Sequence, residues 1–209
     1  MSRNIERLVK LGTAALGDEF SEANGEVSEL GALLRARNGF FAFESALHVF
    51  HSGQTRTAFS VEDWNRPDLW IADFEGAADG MMFFAEDVFG CQFGLRGGAV
   101  VSFDPETGRV KDSAESLEDW AALILDDFEF LTGWPLASEW QKTNRPLRAG
   151  ERLAPTQPFF LGGEFHVSNL HATDAATAMR LKAAIFRQTR DLPDGVKVRY
   201  VVRDGPQSE

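Results

Sequence analysis

The sequence predicts an α+β fold, a single domain over residues 1–209 in which a central, mostly antiparallel sheet is flanked by helices. Three observations support this prediction: strand-like runs joined by tight turns between residues 81 and 110, amphipathic helical patterns on both sides of them, and abundant aromatic residues. The chain holds 18 Phe and 5 Trp, and 44% of it is hydrophobic. A chain of this composition can bury a large core.

The clearest strands lie in residues 81–110. Apolar residues alternate with others from Cys91 to Arg96, which is typical of a strand with one buried face. Gly97-Gly98 then offers the positive φ angles of a two-residue hairpin turn. Residues 104–108, Asp-Pro-Glu-Thr-Gly, form a second turn, with Pro presetting one φ angle and Gly taking the left-handed position. Consecutive strands joined by such turns predict an antiparallel meander.

The best-defined helix is predicted over residues 117–131. Ser116 has the form of an N-cap, with Asp119 three residues later. The apolar residues that follow at helical spacing are Leu117, Trp120, Ala121, Ile124, Phe128 and Leu131. The acidic residues of the outer face are Asp119, Asp126 and Glu129, with Asp127 alongside. This helix therefore combines an apolar inner face with an acidic outer one.

Four further helices are predicted, over about residues 5–16, 24–38, 134–144 and 174–190. The last of these is expected to turn Ala178, Leu181 and Ile185 inward and Arg180, Lys182, Arg187 and Arg190 outward.

The remaining segments are less regular. The aromatic run 40–50 predicts a buried strand or a strand-like entry into the sheet. Residues 52–80 are expected to form loops and short elements that pack Trp64, Trp70 and Phe74 on the core. Residues 146–158 contain three prolines and predict no regular structure. A strand and tight turn are expected over 159–164, and a final strand over 196–202.

The charge is strongly acidic and unevenly distributed. The net charge is −11. Residues 1–130 hold 10 Lys and Arg against 24 Asp and Glu, and residues 131–209 hold 11 against 8. Such a surface argues against nucleic-acid binding, which needs clustered cations. It suits a basic protein partner, because complementary fields speed encounter. The plain alternative is that the acidity serves only solubility.

One cysteine, Cys91, excludes an intramolecular disulfide and suits a reducing compartment. The first residues lack the profile of a signal peptide, and no apolar run reaches 18 residues. We therefore expect a cytoplasmic protein without a membrane partner.

Known patterns of chemistry are absent from the sequence. His48 and His51 would lie on opposite faces of an extended segment, and His166 and His171 have no carboxylate at a ligand spacing. Cys91 lies in an alternating strand, where a small core residue is the default. The sequence also lacks a G-x-S-x-G elbow and a phosphate-binding glycine loop. We expect no catalysis, metal or cofactor, although distant carboxylates meeting in a cleft stay an open alternative.

Three motifs resemble the SUKH superfamily, which includes a fungal cell-wall synthesis regulator. The first runs from Leu33-Leu34 through Asn38-Gly39-Phe40-Phe41-Ala42-Phe43. The second is Phe83-Phe84-Ala85-Glu86-Asp87-Val88-Phe89-Gly90-Cys91-Gln92-Phe93. The third is Val101-Ser102-Phe103-Asp104-Pro105-Glu106-Thr107-Gly108, followed by Ser116 and Trp120. They span residues 25–135 in the order of the family. The segment around Phe160-Leu161-Gly162-Gly163 is similar to the end of some type VI secretion immunity proteins, and residues 146–209 are expected to be an extension that packs on the same domain.

The resemblance implies a largely antiparallel sheet with helices and a cytoplasmic immunity role, in which the protein binds and neutralises a cognate secreted toxin without catalysis. We expect a monomer or weak homodimer. The residues expected to contact a basic toxin surface are Glu86, Asp87, Asp119, Asp126, Asp127, Glu129, Trp64 and Trp70. The alternative for each acid is that it is only solvated, and the alternative for each tryptophan is that it belongs to the core. Two other functions stay open: a scaffold or regulatory module of the same superfamily, and an enzyme or small-ligand protein with a site built from remote carboxylates.

Overall fold

A six-stranded antiparallel sheet forms the centre of the protein in a computed structural model that describes residues 3–20, 29–55, 58–193, 195, 196 and 198. Its strands are β1 Phe40–Ala42, β2 Leu47–Val49, β3 Met82–Asp87, β4 Gln92–Arg96, β5 Ala99–Asp104 and β6 Arg109–Ala114. Each strand pairs with the next one along the chain. The α+β fold with an antiparallel meander is thus confirmed, and the meander extends beyond residues 81–110 on both sides.

Residues 40–50, predicted as a buried strand or strand-like entry into the sheet, contain two short buried strands. They form a hairpin, in which β1 and β2 pair antiparallel and Phe43, Glu44 and Ser45 form the turn with φ angles of 52°, 52° and 68°. Residues with side chains rarely adopt such angles, so the run gives no turn signal. Two contacts offset the strain, since the Phe43 ring stacks on Phe128 at 4.4 Å and Gln141 Nε2 donates to the Glu44 carbonyl at 2.7 Å.

The predicted Gly97-Gly98 hairpin is confirmed. Both glycines have positive φ angles, 61° and 91°, and they join β4 to β5. The following turn, residues 104–108, leads into β6.

The helices are α1 Arg3–Leu11, α2 Glu29–Ala36, α3 Val61–Trp64, α4 Leu117–Asp126, α5 Phe128–Thr132, α6 Trp134–Thr143 and α7 Ala175–Thr189. The Ser116 cap is confirmed, because its side chain accepts from the Asp119 amide at 3.1 Å. The helix predicted over 117–131 breaks at Asp127 into α4 and α5. The first helix is shorter than predicted, and the predicted start of the second lies outside the described residues. Of the described helices, none has the length and apolar character needed to cross a bilayer.

The C-terminal region is more regular than the sequence predicts. Residues 146–158 are not wholly irregular, because β7 Glu151–Pro155 pairs with β8 Leu170–Asp174 in a second sheet. Residues 159–161 form a turn of 3-10 helix and not the predicted strand. α7 is confirmed, but Leu181 is exposed and Lys182 is buried, the reverse of the prediction. The strand predicted over 196–202 falls mostly outside the described residues.

The second sheet packs on the first beside the β3–β4 turn. The Leu153 amide donates to the Val88 carbonyl at 2.9 Å. A small apolar cluster surrounds this contact, made of Ala46, Val88, Ala137, Trp140, Leu147, Leu153 and Leu170. The cluster fastens the C-terminal region to one end of the meander.

Candidate functional site

The structure divides the eight predicted partner-binding residues into two groups. Those exposed to solvent are Asp119, Asp126, Asp127 and Glu129. Those buried are Trp64, Trp70, Glu86 and Asp87, whose exposed fractions are 0%, 0%, 1% and 7%. The predicted exposure of the second group is therefore wrong.

The two tryptophans are core residues, which is the alternative to partner binding that the sequence left open for them. Residues 58–80 fold over the sheet, and the rings of Trp64 and Trp70 lie 5.7 Å apart within the main core. Trp64 Nε1 also donates to Gln92 Oε1 at 2.7 Å, so its polar atom is satisfied inside the protein.

Glu86 lies in a buried charged network. Its Oε1 is 2.8 Å from Arg152 Nε and 3.2 Å from His48 Nδ1, and Gln92 Nε2 donates to its Oε2 at 3.2 Å. Burial raises the pKa of Glu86, but the positive charge of Arg152 and the bond to His48 outweigh it, so the pKa is lowered. Burial lowers the pKa of His48 to about 4, so this imidazole is neutral at pH 7. The charged pair is therefore Glu86 with Arg152 of β7.

Asp87, the next residue along β3, has different partners. Its Oδ1 accepts the amides of Phe89 and Cys91, both at 2.8 Å. Burial raises its pKa to about 7, against the opposing effects of these bonds and of the Lys182 charge. Lys182 of α7 is itself buried and donates to the Phe89 carbonyl. Glu86 is thus paired with Arg152 of the C-terminal region, while the charge of Lys182 acts on Asp87 without an ion pair, and both acids are parts of the protein interior.

The buried groups offer little reactive chemistry. Burial, and then the charge of Asp87, raises the pKa of the Cys91 thiol and so disfavours the nucleophilic thiolate. His51 is fully buried, and its ring nitrogens have no hydrogen-bond partner among the described residues. Within the part of the chain that the structure describes, no group of three or more His, Cys, Asp or Glu side chains could hold a metal ion.

The exposed acids lie on α4, on α5 and at the junction between them, and we call Asp119, Asp126, Asp127 and Glu129 the acidic segment. In the described part of the chain, no Lys or Arg forms an ion pair with any of the four, although Asp119 accepts from the Ser116 hydroxyl at 2.6 Å. Their charges therefore face solvent without an ion pair to any described cation. Surface carboxylates in this state are available to a partner's cations.

A groove runs beside the acidic segment. It has a volume of about 620 Å³ and lies between α1, the end of β6 and α4, with Asp119, Leu123 and Asp126 on its α4 side and Asn4 and Arg7 on its α1 side. Leu123 is also exposed, so the acidic face includes apolar surface.

Phe130 is a residue of this region that sequence reasoning missed. It lies on α5 directly after Glu129, and 81% of it is exposed, an unusual state for a phenylalanine. The sequence did contain a signal, because Phe130 is four residues after Asp126 and hence on the outer face of a continued helix. An exposed aromatic ring among carboxylates gives the surface both an apolar contact and a charge.

Comparison with known proteins supports the fold alone. The chain is similar to a solved structure, the crystal structure of Atu4351 from Agrobacterium tumefaciens, with a TM-score of 0.55 and 14% identity over 84% of this chain and 86% of that chain. No protein-family model and no curated protein matches the sequence. The protein is therefore an α+β protein of this architecture, and its function has to be argued from its own surface.

Proposed function

We propose that this chain is an immunity-type binding protein, which neutralises a cognate secreted toxin in the cytoplasm by covering it. The observation that carries the proposal is the acidic segment, where four exposed carboxylates form no ion pair with a described cation and the exposed ring of Phe130 directly follows Glu129. The SUKH resemblance belongs to the same proposal, since neutralising toxins is a common role of the bacterial members.

The charge of this surface favours a basic partner. Enzymes that act on nucleic acids carry cations around their active sites, because those cations bind phosphates. An acidic cover would pair with such a rim, and complementary charge accelerates encounter and disfavours other partners. The proposed partner is therefore a toxin with a basic active-site rim.

Phe130 suits the role of an anchor in such a complex. Binding energy in interfaces is concentrated in a few aromatic or Arg residues that become fully buried. A ring that is 81% exposed in the free protein has most of its surface still to bury. The carboxylates around it would then form the polar rim of the contact.

The position of the other acids supports binding over catalysis. Glu86 and Asp87, the acids with perturbed pKa values in the centre of the protein, are enclosed in the core, where Glu86 pairs with Arg152 and Asp87 accepts backbone amides. Perturbed carboxylates mark an active site when they line a cleft that substrate can reach. These two lie inside packed structure instead.

The test is co-expression with the candidate toxin encoded beside the gene, scoring growth and formation of a complex. We expect the wild-type chain to restore growth, and the combined charge reversal of the acidic segment (Asp119→Lys, Asp126→Lys, Asp127→Lys, Glu129→Lys) to abolish the rescue.

The matched control reverses four exposed acids elsewhere, Asp18, Glu19, Asp79 and Asp191, and so makes the same change in net charge. This control should still rescue. Rescue that survives reversal of the acidic segment would show that the toxin binds another surface. A wild-type chain that neither binds nor protects against the toxin would disprove the proposed function.

A further inference from the structure

A second exposed aromatic surface lies on residues 156–169, which we call the aromatic loop. Its rings Phe160 and Phe165 are 37% and 67% exposed. Phe165 stacks face to face on Phe159 with ring centroids 4.0 Å apart. Phe165 therefore lies flat on another ring and turns its other face toward solvent, an arrangement that core packing does not require.

The loop is held firmly in this shape. Its ends are joined by the Thr156 amide, which donates to the Asn169 carbonyl at 2.7 Å. The Asn169 side chain bridges the loop, accepting from the Gln157 amide at 2.9 Å and donating to the carbonyls of Gln157 and Glu164 at 3.0 and 3.1 Å. A side chain at Gly163 would collide with the Gln157 carbonyl. The aromatic rings are thus presented on a preorganised frame, which reduces the entropy cost of binding.

Glu106 fixes the loop to the main sheet. Its carboxylate is buried at the β5–β6 turn and accepts the Phe160 amide at 3.0 Å. A buried carboxylate is expensive unless it is hydrogen-bonded. Here it holds the backbone beneath an exposed ring in a fixed position.

The aromatic loop adjoins the acidic segment through Phe89. The half-buried Phe89 ring contacts Gly133, the residue after α5, and meets Phe159 edge to face at 5.3 Å. α5 and the aromatic loop therefore flank the same ring. Glu129 and Phe130 belong to α5, and Phe165 belongs to the aromatic loop, where it stacks on Phe159.

We propose that the aromatic loop and α5 form one continuous binding face, and that its occupant is a protein with an apolar pocket bordered by cations. The rings of the loop would fill the pocket, while exposed carboxylates at both ends of the face, Glu129 on α5 and Glu164 on the loop, pair with the cations. A second copy of this chain fits the face poorly, because carboxylates would meet carboxylates on an already acidic protein. The inference rests on the proposed function only for the identity of the partner.

The test places a photo-crosslinker in the full chain within its own cells, by the substitution Phe165→p-benzoyl-L-phenylalanine. The same replacement at Leu11, which is 57% exposed on α1, is the control. We expect position 165 to capture a basic protein and position 11 not to capture it. Reversing the charges of the acidic segment should reduce the yield at position 165 at least about 10-fold, the effect of losing one strong contact.

Purified protein then separates specific binding from capture by chance. The double variant Phe160→Ala with Phe165→Ala should weaken binding of the captured protein at least about 10-fold, and Leu11→Ala should leave it unchanged. The inference is overturned by no capture at position 165, by capture that ignores the acidic segment, by equal capture at position 11, or by capture of a second copy of this chain.

The two proposals fail differently. If the double variant still rescues cells from the toxin as well as the wild-type chain does, this inference fails and the proposed function stands. If the captured basic protein binds through both surfaces but is harmless to cells, the proposed function fails and the binding face stands.

Discussion

The acids at the end of β3 and the acids of the acidic segment are the same residue types in opposite surroundings. Glu86 and Asp87 are enclosed, the first paired with Arg152 and the second bonded to backbone amides, whereas the four acids of the acidic segment have no ion pair with a described cation. On a strand, adjacent side chains point to opposite faces, so a central strand covered on both faces buries both. On an amphipathic helix, the outer face stays in solvent. The surrounding element, more than the residue type, decides whether an acid stabilises the fold or is free for a partner.

The strongest way to break this comparison is to remove a buried cation. The substitution Arg152→Ala leaves Glu86 charged and enclosed without its partner, and it removes the guanidinium that lies over the Phe41 ring. Breaking a buried pair in this way costs about 3–5 kcal/mol, so we expect a loss of that size in the free energy of unfolding measured with urea.

Arg145→Ala is the matched control, because Arg145 pairs with Glu151 at 2.7 Å on the surface. It should reduce stability far less, since solvent screens exposed pairs. Equal losses for the two variants would mean that burial does not distinguish the pairs.

A pH-dependent effect is expected at Asp87. Its pKa of about 7 in the folded protein lies above its ordinary value of 3.8, so between these limits the folded state binds a proton that the unfolded state has released. Stability due to this group therefore falls as pH rises through the window, by up to about 1.4 kcal/mol per pH unit, and it is constant above pH 7.

The substitution Asp87→Asn removes this titration, so the stability of the variant relative to wild type should rise from pH 4 to pH 7. Urea unfolding at several pH values measures it. A stability difference for Asp87→Asn that is independent of pH would contradict the prediction.

The smallest effect is expected when the acidic segment is neutralised. Asp126→Asn, Asp127→Asn and Glu129→Gln should each change the free energy of unfolding by no more than about 0.5 kcal/mol, because no described ion pair is lost. Thermal unfolding at low and high salt gives the measurement. A large loss of stability in any of them would show that these acids support the fold and are not reserved for a partner.

Local signals in the sequence were sufficient for the parts of the fold that depend on near neighbours. The Ser116 cap and the Gly97-Gly98 turn act within a few residues, and both are confirmed. The β1–β2 turn was missed because Phe43, Glu44 and Ser45 are held at unfavourable angles by contacts with distant helices.

The candidate site was predictable only on the helix. Helical spacing placed the acids of α4 and α5 outside, and it would also have placed Phe130 there. The burial of Glu86 depends on Arg152, which lies in a segment rich in proline that predicted no strand. Lys182 was expected outside because a cation is usually exposed, and its contact with the Phe89 carbonyl joins parts of the chain too distant for periodicity to reveal.

The supply of both buried cations from the last part of the chain has a consequence for synthesis. On the ribosome, β1 to β6 emerge well before Arg152 and Lys182, so the nascent sheet waits with two carboxylates that lack counter-ions. We expect the central sheet to reach its packed form only when α7 has emerged, although domains often begin to fold while the chain is leaving the ribosomal exit tunnel. For the same reason, a truncated gene product ending near Asn144 would be a poor choice for expression, even though it retains the whole central sheet.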